Sequence, residues 1–306
     1  HDQLVSNIKD HYVASIMISD DPNKGLSVVD LYEDIKKRCK LDNLNNKLKK
    51  IFFKIVGKTP YEELNEYRYS FDYSKKNLMY YKLKDISTEG ITDLSKDELK
   101  QENKKLSKEI VEFQNKLMAD GSQSLLVIFQ GMDGSGKDGA VKKVFNYCHH
   151  GGVSVYSFKK PTDEEFAHDF LWRVHKLVPQ KGMVQIFNRS HYEDILVPSV
   201  EGYFSPETIA RRYDHINHFE QLLEDSGTRV LKFYLHISKE VQLERLTDRI
   251  DNPQKHWKHN DGDWESRKKW DAYMEVYERI FDKCNVVPWH IVPSDRNWVK
   301  VNAIAK

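Results

Sequence analysis

The chain has 306 residues, 39% of them hydrophobic and 31% charged, enough for one large domain or a domain with an appendage. Its 48 Lys and Arg nearly cancel 47 Asp and Glu, for a formal net charge of +1, so bulk charge speaks against nucleic acid or a membrane surface as partner, and any polyanion must be met by a local cluster. The 3 cysteines, Cys39, Cys148 and Cys284, form no CxxC pair and suggest neither a zinc site nor a disulfide framework, and no apolar run approaches the roughly 20 residues of a membrane span, so a reduced, cytoplasmic setting is expected.

Residues 1 to about 80 read as a mostly helical N-terminal appendage, with Leu31, Ile35, Leu44, Leu48, Ile51 and Phe52 at mixed helical spacing. Its end is aromatic: Tyr61, Tyr67, Tyr69, Phe71, Tyr73 and Tyr80. Two readings stay open, packing onto the main domain or binding a partner. No signal peptide is visible, and the start at His1 and stop at Lys306 lead us to expect trimmed termini. Residues 81–306 read as the main domain. Ser95 with Glu98 makes a capping box, and Leu99, Leu106, Ile110, Phe113 and Leu117 follow at helical spacing up to Gly121.

From there apolar runs alternate with helical patterns. Strands are expected at Leu125–Phe129, Val153–Phe158, Met183–Phe187, Val230–Ile237 and Val286–Val292. Helices are expected at 137–149, 163–178, 206–225, 239–250 and 264–283, with Ser205-Pro206 and Ser238 as openings. Such alternation argues for an α/β fold with a parallel sheet of about five strands, and the nearly unbroken apolar runs suit strands covered on both faces.

The sharpest feature is Gly131-Met132-Asp133-Gly134-Ser135-Gly136-Lys137-Asp138-Gly139, between the first strand and a helix. Glycines let backbone N–H groups curl around phosphate oxygens, the helix terminus adds its dipole, and Lys137 reaches phosphate. The hydroxyl residue that usually follows the lysine and binds Mg²⁺ is replaced by Asp138, and Asp133 adds a second carboxylate. Carboxylates in a phosphate cradle need cations, and Mg²⁺ favours carboxylate plus phosphate oxygens. Asp133 is therefore a metal candidate; Asp138 is either a second one or a helix-start acid.

Two further clusters belong at the C-terminal ends of the strands, where ligands sit in such sheets. The third strand runs into Asn188-Arg189-Ser190-His191-Tyr192-Glu193-Asp194, in which Arg189 suits phosphoryl charge and Glu193 or Asp194 a metal or acceptor; the polar residues can equally cap the next helix. Arg245 and Arg249 share a helix face four residues apart, and Asp251–Asp263, with Lys258 inside it, reads as a polar lid. Lys159, at the end of the second strand, is a phosphate-contact candidate.

These motifs, with Ser157-Phe158-Lys159, His168-Asp169-Phe170-Leu171-Trp172-Arg173, Trp257-Lys258, Asp263, Arg267, Trp270, Tyr273 and Pro288-Trp289, resemble the polyphosphate kinase 2 family from about residue 80 onward. The resemblance implies a thymidylate-kinase-like P-loop fold, Mg²⁺, and phosphoryl transfer between inorganic polyphosphate and adenine or guanine nucleotides, often by a homo-oligomer. By the same resemblance Asp133, Lys137 and Asp138 fall in the Walker A loop with Gly134, Ser135, Gly136 and Gly139; Asn188, Arg189 and Glu193 fall in the second motif; and Arg245, Arg249 and Lys258 fall in the lid. The Asn-Arg-Ser-His-Tyr-Glu form is similar to the class III subgroup, which acts on both AMP and ADP. Gly134 and Ser135 stand where the family commonly has two alanines, and Asn188 where many members have Asp. The competing expectations are an ATP-dependent nucleoside monophosphate kinase, which shares the fold, and a nucleotide- or polyphosphate-binding sensor without turnover.

Overall fold

Ser124–Gln130 contains no charge and forms β1, the centre of the sheet. The computed structural model describes residues 82–306; the appendage expected over residues 1–80 lies outside them. The other strands are β2 (Val153–Ser157), β3 (Val184–Asn188), β4 (Thr228–His236) and β5 (Trp289–Pro293). All pairs are parallel, as the alternating pattern predicts, and the strands lie in the order β2-β3-β1-β4-β5. Around them lie α1 (Lys96–Asp120), α2 (Lys137–Val144), α3 (Asp163–Phe166), α4 (Trp172–His175), α5 (Glu193–Glu201), α6 (Pro206–Asp225), α7 (Lys239–Asp251), α8 (Asp261–Lys268), α9 (Trp270–Lys283) and α10 (Asn297–Ala305).

Side-chain alternation along β1 divides the core between two sheet faces. Val127 and Phe129 point to one face, with Ile186, Phe233, Leu235 and Val292, under α1, α2 and α10. Leu126 and Ile128 point to the other, with Phe187 and Val230, against Phe219 and Leu223 of α6. A third cluster on that side joins Tyr192, Ile195, Tyr234, Tyr277 and Ile280. Double coverage does not reach β2, which pairs with β3 alone and is exposed from Ser154 to Ser157. It is an edge strand, so its apolar run there is not a sign of burial.

Capping chemistry holds where it was legible. Ser95 accepts from Glu98 N at 3.3 Å and Glu98 accepts from Ser95 N at 2.8 Å, and Gly121 closes α1 at φ 62°. Ser205 and Ser238 cap α6 and α7. Phe113 breaks the expected stripe: it is 62% exposed, and buried Gln114 beside it bonds His149 N and O at 2.8 and 3.1 Å. That pair of bonds turns the chain toward α1, and α2 ends at Val144 rather than 149. The helix expected over 163–178 is two short turns, because a Thr162–Glu165 capping box starts the first and the Asp169 carboxylate accepts Leu171 N at 3.0 Å in the bend between them. The helix expected over 264–283 begins at Asp261, capped by Asn260, and breaks at Lys269. Before α8, the lid segment contains a 3-10 turn, Pro253–Lys258, capped by Asn252. Two short helices, α5 and α10, had no legible pattern: α5 carries Pro198 inside it, and α10 buries Val299, Lys300, Val301, Asn302 and Ile304, leaving no polar stripe to mark its period. Among the described residues no helix is long and apolar enough to cross a membrane.

Candidate active site

The loop Gly131–Gly136 leaves β1 at the point where β3 and β4 flank it, the place where parallel sheets of this kind bind ligands. Its backbone needs glycine at Gly136, which has φ 88°, and at Gly131, where a Cβ would lie 2.8 Å from Leu235 O. Lys137 opens α2 and is buried; its Nζ donates to Gly131 O at 2.7 Å and Met132 O at 3.2 Å, closing the loop on itself. Burial pushes the Lys137 ammonium down, against the pull of Asp133. Ser135 N donates to Met132 O at 3.0 Å, and Ser135 Oγ is buried without a partner among the described residues. Nothing crowds the space a Cβ at Gly139 would take, and Gly134 is held through its carbonyl by Arg245 at 2.9 Å.

Asp133 is the negative centre of the site. Its carboxylate pairs with Arg189 and its carbonyl accepts Gln242 Nε2 at 2.8 Å. Burial works against its charge, but Arg189 and Lys137 outweigh it and hold the carboxyl below its usual range. Arg189 has φ 61° although it is not a glycine, and its N donates to Phe129 O at 2.9 Å. Such a conformation costs about 1–3 kcal/mol and persists where surrounding structure enforces it, typically at functional sites.

Around this pair lie the other sequence candidates. Asn188 Nδ2 donates to Asp138 Oδ1 at 2.6 Å and Lys258 Nζ to Asp138 Oδ2 at 3.0 Å, so Asp138 links strand end, loop and lid on the exposed rim. Glu193 sits at the start of α5 and is pushed up by burial, with Arg189 and Lys137 opposing; Gln130, with its amide nitrogen turned inward, donates to Glu193 Oε1 at 3.0 Å. Arg249 bonds Asp263 Oδ2 at 2.5 Å and Lys258 O at 3.2 Å. The Lys159 side chain is exposed, and its carbonyl accepts Arg173 Nη1 at 3.0 Å. Asp194 is taken by Arg173 at 2.9 Å, and its carbonyl accepts from Arg212.

Some residues at this site had no expected role. Asp263 is pushed up by burial and by the charge of Asp133. Gln242 joins Asp133 O to Arg267, which donates to Gln242 Oε1 at 2.8 Å. Arg245 also donates to Ser294 O and Asp295 O at 2.8 Å, and Lys300 of α10 reaches the loop from behind. The signal for Gln242 was its position three residues before Arg245 on one helix face; Lys300 gave none.

A family model described as polyphosphate kinase 2 matches residues 93–306. The chain belongs to the polyphosphate kinase 2 family. A similar protein from Meiothermus ruber, an AMP/ADP-polyphosphate phosphotransferase, is 46% identical over 197 residues, 64% of this chain and 74% of the relative. An ADP-polyphosphate phosphotransferase from Rhodopseudomonas palustris is 39% identical over 199 residues, 60% of this chain and 68% of the relative. The crystal structure of polyphosphate kinase 2 from Arthrobacter aurescens superposes with TM-score 0.69 and 42% identity over 72% of this chain and 79% of that one. The chain is thus a phosphotransferase enzyme with the P-loop kinase fold of the polyphosphate kinase 2 family.

Proposed function

We propose that, within the polyphosphate–nucleotide phosphoryl transfer of its family, this chain phosphorylates both AMP and ADP, with Mg²⁺. The observation that carries the reading is the convergence of Lys137, Arg189, Arg249 and Lys258 from the loop, a strand end and the lid on the carboxylates of Asp133, Asp138 and Asp263. Cations in such number face a ligand of high negative charge, and catalysis then consists of holding donor and acceptor in line and neutralising developing charge. Lys137 and Arg189 take that neutralising part, Lys258 and Arg249 close the lid side, and Glu193 orients the acceptor. The likeness to the Meiothermus ruber protein supports two acceptor lengths.

Among the described residues no three metal-ligating side chains cluster. That donor set fits Mg²⁺, which takes one or two carboxylates and completes its shell with water and substrate phosphates. Asp133 would hold it, with Asp263 near enough for the charge of Asp133 to act on it; the ion would supply charge neutralisation to the phosphates. Asp138, spent on Asn188 and Lys258, serves the lid contact instead.

The deciding experiment incubates the full chain with Mg²⁺ and long-chain polyphosphate, and with AMP, ADP, GMP or GDP singly, without ATP. ADP from AMP and ATP from ADP are the expected products. ATP from ADP alone removes the AMP half of the proposal, and no product from any acceptor overturns it in favour of an ATP-dependent kinase or a sensor.

A further inference from the structure

α10 approaches the phosphate loop from the side opposite the cradle. Its Lys300 is 1% exposed. The Nζ donates to Ser135 O at 3.2 Å, Gly136 O at 3.3 Å and Asn297 Oδ1 at 3.0 Å. Those acceptors match the three N–H bonds of an ammonium. A Cβ at Gly136 would collide with this Nζ, so Lys300 occupies the space that the glycine leaves.

A trans peptide is planar and points its N–H opposite its C=O. Holding the Ser135 and Gly136 carbonyls on the outer side therefore directs the amides of Gly136 and Lys137 away from Lys300, to the cradle side. Arg245 treats the adjoining Gly134 carbonyl the same way from α7. The outer face of the loop is thus held by cations from α7 and α10, while Lys137 closes its base.

The charged groups acting on Lys300 are all cations: Arg245 from α7, and Lys143 and Lys137 from α2. No carboxylate is among them. We propose that Lys300 is a positioning residue of the phosphate loop and the group that takes up a proton when a polyanion fills the cradle. The proposal rests on the reading that polyphosphate binds at this loop. Burial first, then the neighbouring cations, bring the Lys300 ammonium down to about 7. Without ligand it is therefore partly neutral near neutral pH and one of its three bonds loses its proton. Phosphate charge in the cradle favours the ammonium, so binding draws a proton from solvent onto Nζ and tightens the grip on both carbonyls.

The test is calorimetric titration of the full chain with inorganic tripolyphosphate at about pH 8, in two buffers of different ionisation enthalpy, which reads the protons taken up on binding. Glu193 and Asp263, both pushed up by burial, also take up protons near phosphate, and Lys300→Arg separates them from Lys300. Arginine keeps the cation and its donors but does not titrate. The wild type should take up most of one proton more than Lys300→Arg, which should bind within about threefold, while Lys300→Met should bind about tenfold more weakly. Equal proton uptake in wild type and Lys300→Arg overturns the proton-accepting role. Unchanged affinity in Lys300→Met overturns the positioning role; should that variant not fold, unchanged affinity in Lys300→Gln, which also removes the ammonium, does so. Binding without Lys300-dependent uptake leaves the reading of the loop intact, whereas no tripolyphosphate binding by the wild type overturns both.

Discussion

Asp133 carries its charge where burial opposes it, and it does so because Arg189 and Lys137 stand beside it. Its folded carboxyl lies below the unfolded value, so its stabilising contribution is present above about pH 4 and lost as pH falls through the folded value. Asp133→Asn keeps the shape and removes the charge. Steady-state turnover of ADP with polyphosphate should fall by about 10²-fold or more, with the circular dichroism spectrum unchanged; near-normal turnover would remove Asp133 from the chemistry. Glu193 has the opposite sign. Its carboxyl is raised, so the ionised form costs stability once pH passes the unfolded value near 4. Glu193→Gln should melt higher than wild type at pH 7, the difference should shrink at pH 4, and activity should fall at both. A lower melting temperature at pH 7 would mean that Arg189 and Lys137 outweigh the burial of Glu193.

At the scale of elements, the lid meets the loop through Lys258 and Asp138, whose side chains are 35% and 63% exposed. Exposed pairs contribute about 0–1 kcal/mol and weaken with salt. Lys258→Ala should therefore leave the melting temperature nearly unchanged and raise the KM for polyphosphate, with the difference from wild type narrowing as ionic strength rises. A salt-independent difference would point to packing, not charge. What was legible in the sequence follows the same division between local and distant causes. The phosphate loop, the Ser95 and Ser205 caps and the alternation of strands with helices are written in adjacent residues. The end of α2 was not, because Gln114 sets it from another helix. The exposure of β2 was not, because an edge position depends on the order in which distant strands pair. In the site, Asp133, Lys137 and Arg189 were legible from the glycine frame and the strand end, whereas Gln242 and Lys300 reach the loop through contacts more than 100 residues apart in sequence.

The whole molecule ties its sheet to this site through a buried charged network. Lys232 on β4 donates to Glu220 at 2.6 Å, to the Tyr192 hydroxyl at 2.8 Å and to Cys284 O at 3.0 Å. Tyr192 OH donates to Glu220 Oε1 at 2.6 Å, and His191 Nε2 lies 3.4 Å from the same oxygen. The network joins β4, α6 and the end of α9 to the residues that directly follow Arg189. Burial disfavours the charged forms of both partners, and each is opposed in this by the other. A matched pair of this kind adds little net stability, but removing one partner strands the other charge and costs about 3–5 kcal/mol. Lys232→Met should shift the urea unfolding midpoint strongly downward. Lys232→Met with Glu220→Leu should recover much of the loss, because no buried charge is then left over, although Tyr192 OH loses its acceptor. The same double variant should still turn over more slowly than wild type, since Tyr192 and His191 no longer fix the chain between Arg189 and Glu193. Full activity in a stable double variant would show that packing alone, through Tyr192 against Trp289, holds the second motif in place.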